Sequence, residues 1–114
     1  MSKRLLELAR VRTITIEVEG EKFIVREPSA LELIARRSRM YITHRSDDGQ
    51  ESHELMPDAT ERGLAYLIAT CVTDVSGSPA WNEQEAYTIA TGRQQVALPI
   101  INAVSGFLSS EKKV

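Results

Sequence analysis

The sequence predicts a small α+β domain, mainly α, in which an N-terminal β-hairpin is followed by about four helices. Three observations carry this. Ile14, Ile16 and Val18 alternate with polar residues, and after Gly20 and Glu21 the alternation resumes with Phe23 and Val25, the period of two that belongs to strands. Leu64, Leu67, Ile68, Cys71, Val72 and Val75 recur at the spacing that lines one face of a helix. Three expected helices each start at a residue that can cap the first turn, with a glutamate three positions on: Ser29 with Glu32, Asp58 with Glu61, and Asn82 with Glu85.

In chain order, Leu5, Leu6, Leu8 and Val11 give residues 3–11 the pattern of an amphipathic helix. A helix of fewer than ~12 residues is marginal alone, so residues 1–12 are expected to fray or to wait for a partner. A turn at Gly20 and Glu21 pairs Val18 with Phe23, Ile16 with Val25, and Glu19 with Lys22. Pro28 closes the hairpin, because it has no amide hydrogen and restricts the residue before it. The Ser29 helix runs to about Thr43, and residues 45–57, rich in Ser, Asp, Gly, Gln and Glu, read as a mobile polar loop. The central helix follows Asp58 and ends at Asp74, Ser76, Gly77, Ser78 and Pro79, which favour a turn. Small residues on its other faces, Ala65, Ala69, Thr70 and Thr73, allow close packing by its neighbours. The Asn82 helix carries Ala86, Tyr87, Ile89 and Ala90 to a break near Gly92. The last helix, from about Arg93 to Ser109, shows Val96, Ile100, Ile101, Val104, Phe107 and Leu108 on one stripe, and Pro99 within it predicts a kink or a start just upstream. Residues 109–114 read as a solvated tail.

At 114 residues, with 42% hydrophobic and 26% charged residues, the chain fits one domain spanning residues 1–114 that can bury a core without disulfides or metal. Cys71 has no partner for a disulfide and lies on the apolar stripe, which predicts an inert buried thiol in a cytoplasmic protein. A net charge of −2 gives no overall attraction to nucleic acid or anionic membranes. Glu7, Arg10 and Arg12 interrupt any apolar run near the start, so that stretch does not read as a signal peptide, and no run approaches the ~20 apolar residues of a membrane span.

Signals for catalysis are sparse. His44 and His53 flank Asp47, Asp48 and Glu51, with Glu54 just beyond, but this spacing matches no tight ligand motif and no cysteine joins them, so no metal is expected. No Gly-x-Ser-x-Gly elbow marks a nucleophile and no glycine-rich loop could cradle a phosphate, so neither an enzyme nor a cofactor is expected. Arg36, Arg37, Arg39 and Arg45 form the one basic concentration. They allow an alternative reading as an adaptor that binds nucleic acid, against which the acidic chain and the absence of a recognised motif argue.

The order of elements also resembles a family. A hairpin leads into the Arg26, Glu27, Pro28, Ser29, Ala30 helix start, and a small-residue-rich helix ends at Val72, Thr73 and Asp74. The turn at Gly77, Ser78 and Pro79, then Trp81, then an apolar last helix complete the series. Over about residues 11–108 this is similar to the tail assembly chaperones of long-tailed bacteriophages and prophages; the arginine-rich helix and the polar loop lie outside the likeness. The resemblance implies a non-catalytic protein of the host cytoplasm that is absent from the finished virion. It would bind the tape-measure protein, tail-tube subunits, or both, and keep them soluble until the tail is built. It also implies a longer form made by frameshifting, for which Glu111, Lys112 and Lys113 stand at a suitable place. Such a chaperone covers apolar stripes temporarily, through an apolar face of a small domain that can also self-associate. Leu5, Leu6 and Leu8, together with Leu31, Ile34 and Tyr41, are the residues expected to form that face.

Overall fold

The early alternation becomes an antiparallel hairpin of β1 (Thr13–Val18) and β2 (Glu21–Arg26) in the computed structural model, which describes residues 3–110. A six-residue helix, α1 (Lys3–Leu8), precedes it. The turn sits at Glu19 and Gly20, both with positive φ (50° and 82°), one residue earlier than expected. Ile16 therefore opposes Phe23, Ile14 opposes Val25 and Glu17 opposes Lys22. A two-residue loop with both positions left-handed matches the twist of the strands it joins, and glycine at the second position takes that geometry without strain. The register differs from the expected one by two residues, so each side chain keeps its face.

Helix α2 (Ala30–Met40) starts with the expected reciprocal cap: the Ser29 hydroxyl accepts from the Glu32 amide at 3.2 Å, and Glu32 accepts from the Ser29 amide at 2.9 Å. It stops three residues short of Thr43, because the chain turns extended at Tyr41 (φ −122°, ψ 145°). Here the expected polar loop at residues 45–57 gives way to a second hairpin, β3 (Tyr41–Arg45) and β4 (Glu51–Leu55). The Ser46 carbonyl accepts from the Gly49 amide at 3.0 Å, and Gly49 takes φ 86°, the turn-plus-left-handed-glycine arrangement of a short hairpin loop.

The central helix α3 (Ala59–Cys71) also ends sooner than its apolar stripe suggested. Val72 begins β5 (Val72–Asp74), which pairs with β2 to give the sheet order β1-β2-β5. The β-branched pair Val72 and Thr73 suits a strand, and the free edge of β2 supplies its partner. Val72 remains fully buried, whereas Val75, expected on the helical stripe, is exposed in the turn. The Asp58 carboxylate does not cap α3. It accepts instead from Arg62 Nε at 2.8 Å and from the Tyr87 hydroxyl at 3.2 Å, tying the helix start to the next helix. The cap expected at Asn82 forms. Asn82 and Glu85 cap α4 (Glu83–Ala90) reciprocally, and α5 (Gln94–Ser110) runs through Pro99 as one helix. Of the expected tail, Ser109 and Ser110 belong to α5, and residues 111–114 lie outside those described.

Leu67, Ile68 and Cys71 of α3 are fully buried, and Leu67 and Ile68 share one core with Val25 and Val72 of the sheet and Ile100 and Val104 of α5. Phe23 and Trp81 rings meet at 4.9 Å between centroids, closing one side of this core. Burial pushes the Cys71 thiol pKa up, in keeping with an inert side chain. No helix among the described residues is long and apolar enough to cross a membrane.

Candidate functional site

The candidate surface rests on how α2 is held. Arg26, at the end of β2, places its two terminal guanidinium nitrogens on the two Glu32 oxygens at 2.5 Å each and donates to the Thr70 carbonyl of α3 at 2.8 Å. That clamp joins sheet, α2 and α3, and the Arg26 hydrogen bonds hold the Glu32 pKa down at about 2. Gly63 of α3 completes the seat: a side chain there would start 3.1 Å from Met40 Sδ and 3.4 Å from Arg36 Cγ. With one face of α2 committed to α3, the opposite face is left to solvent. Leu31 is 77% exposed and Ile34 66%.

Tyr41, expected on the same helix face, begins β3 instead and is partly exposed. Leu5, Leu6 and Leu8 are exposed on α1, which buries none of its residues and, among the described residues, packs extensively against no other element. All six expected residues are thus at the surface, but in two groups: the α1 leucines, and the stripe along α2 into β3. Behind α1 the chain is anchored at Arg12, whose backbone amide and guanidinium both donate to the Glu27 carboxylate and lower its pKa.

Sequence reasoning missed the second hairpin and with it Ile42 and Leu55, both exposed. The alternation of Tyr41, Thr43 and Arg45 with Ile42 and His44, before a loop that carries Gly49, is the signal that points to it. Tyr41, Thr43 and Arg45 face the same side as Leu55, His53 and Glu51; Ile42 and His44 face the other side with Glu54 and Ser52. A groove of about 500 Å³ opens between α2 and this hairpin, lined by Arg37, Ser38, Tyr41, Thr43 and His53.

The arginines do not form one patch. Arg39 pairs with Glu83 at 3.0 Å and lies 4.4 Å from the Tyr66 ring centroid, and Arg45 pairs with Glu51 at 2.6 Å. Arg36 is half-buried against α3, whereas Arg37 is exposed at the groove. The two histidines are likewise separated. His44 bonds Glu54 on one face of the hairpin and His53 bonds Thr43 on the other. Among the described residues, no group of three or more His, Cys, Asp or Glu side chains is arranged to hold a metal ion.

The fold has a solved counterpart. It is similar to the tail assembly chaperone of bacteriophage HK97, with a TM-score of 0.56 and 19% identity over 91% of this chain and 97% of that one. At that identity the likeness is one of fold. No protein-family model and no curated protein matches the chain.

Proposed function

We propose that this chain is a non-catalytic phage tail assembly chaperone, acting in the host cytoplasm on tape-measure protein, tail-tube subunits, or both. The observation that carries the reading is the set of large aliphatic side chains left in solvent on α1 and α2: Leu5, Leu6 and Leu8 on the first, Leu31 and Ile34 on the second. An apolar surface of this kind suits a protein that covers another chain's apolar stripe before assembly. The likeness to the HK97 chaperone over nearly the whole of both chains supports the same reading. The alternative, nucleic-acid binding through residues 36–45, loses support because Arg39 and Arg45 are engaged by carboxylates and Arg36 packs on α3.

Co-expression with the tape-measure and tail-tube proteins of the same genome, followed by size-exclusion chromatography with light scattering, tests the reading. A complex that keeps the tape-measure protein soluble is expected, with affinity little changed by salt, whereas phosphate contacts would weaken steeply. Leu6→Asp and Ile34→Asp, in folded protein, are expected to weaken it. Components that remain separate at micromolar concentration would remove the proposal.

A further inference from the structure

We infer that the groove between α2 and the β3–β4 hairpin is the docking site for an amphipathic helix of the client, with an Asp or Glu side chain beside its apolar stripe meeting Arg37. The inference rests on the chaperone reading and adds the chemistry of the partner. Leu31, Ile34 and Ser38 recur at intervals of three and four residues along the outer face of α2, and Tyr41 continues the line at the mouth of the groove. From Leu31 to Tyr41 is about 15 Å at the helical rise, room for roughly three turns of a second helix lying alongside.

Charge selects the occupant. Among the described residues the Arg37 side chain makes no ion pair or hydrogen bond, while Arg26, Arg39 and Arg45 all hold carboxylates. Among the described residues no acidic side chain lines the groove, and the neighbouring Glu51 and Glu54 are engaged by Arg45 and His44. His53 has its Nδ1 on the Thr43 hydroxyl at 3.1 Å, leaving Nε2 for a further partner. A cation and an imidazole beside a tyrosine and an aliphatic stripe match a helix that is apolar along one side and acidic at its margin. The walls are joined without a linker: Tyr41 follows Met40 directly, and the Met40 carbonyl accepts from the Met56 amide at 2.8 Å. The hairpin thus starts beside the end of α2 with no connecting segment to order on binding.

The test uses the full chain co-expressed with the tape-measure and tail-tube proteins of its genome, carrying a photo-crosslinking p-benzoylphenylalanine at Thr43 or, as control, at Lys22 on the other hairpin. Crosslinks from position 43 into a client segment with an acidic residue next to its apolar stripe are expected, with few from position 22. Arg37→Glu is expected to lower the position-43 yield at least tenfold, Arg37→Lys to retain most of it, and reversal of the client's acidic residue to Lys to restore binding to Arg37→Glu. A complex that forms equally well with Arg37→Glu, or crosslinks away from position 43, overturns the groove and leaves the chaperone reading standing. Crosslinks that join two copies of this chain overturn it in favour of self-association. If no complex forms with either tail protein, the chaperone reading fails and the inference falls with it.

Discussion

Glu32 does two jobs with one carboxylate, and the ion pair, unlike the cap, needs its charge. It receives the Ser29 amide at the start of α2 and the bidentate Arg26 guanidinium, and its side chain is only 18% exposed. Its folded pKa, about 2, lies below the unfolded value near 4.5, so its stabilisation is complete above about pH 5 and is lost as pH falls toward 2. Glu32→Gln keeps the shape but not the charge, and is expected to cost about 2–3 kcal/mol at neutral pH. Urea melts from pH 7 down to pH 2 check this: the gap between wild type and variant should close as the pH falls. The capping half of this role was legible from the Ser29–Glu32 spacing. The Arg26 half was not, because it depends on where β2 ends relative to α2, a relation that spacing along one element does not contain.

At the scale of elements, local signals that agreed with tertiary contacts were read correctly and those that competed with them were not. The caps at Ser29 and Asn82 formed, but the equivalent carboxylate at Asp58 was drawn away by Arg62 and Tyr87, partners that come from its own helix and from α4. Similarly, Val72 continues the helical stripe in sequence, yet the open edge of β2 recruits it to a strand. The second hairpin was hidden by composition: each of its strand residues is exposed, so no buried face imposed an apolar alternation. Of the candidate surface, the aliphatic residues were legible and the groove was not, since it exists only once residues 41–55 fold back beside α2. Two variants probe these elements. Asn82→Ala is expected to cost about 1 kcal/mol through the lost cap, measured by chemical denaturation. Gly63→Leu should cost about 1–3 kcal/mol, because the new side chain meets Met40 and Arg36 and pushes α2 off its seat.

Taken whole, the molecule is less compact than its length requires. Its radius of gyration is 16.3 Å, against about 13 Å for a tightly packed domain of this size. The excess fits elements that bury no side chains, α1 and the β3–β4 hairpin, held at the margin of a core built by α3, α5 and the sheet. Such elements open at low cost, since few apolar contacts are broken. Limited trypsin digestion is therefore expected to cut first after Arg10 and Arg45, both exposed, and later within the core. Equal early cleavage at Arg62, within α3, would contradict this division.

The three-stranded sheet has a consequence for synthesis on the ribosome. β1 and β2 can close within microseconds once they emerge, but Val25 finds Val72 only after roughly fifty further residues have been made. At about 5–20 residues per second that interval lasts several seconds, during which the inner edge of the hairpin has no strand beside it and Phe23 and Val25 have no core to enter. The nascent chain thus passes through a stage in which it has the unpaired edge and open apolar surface of an aggregation-prone intermediate, and translation past Asp74 ends that stage.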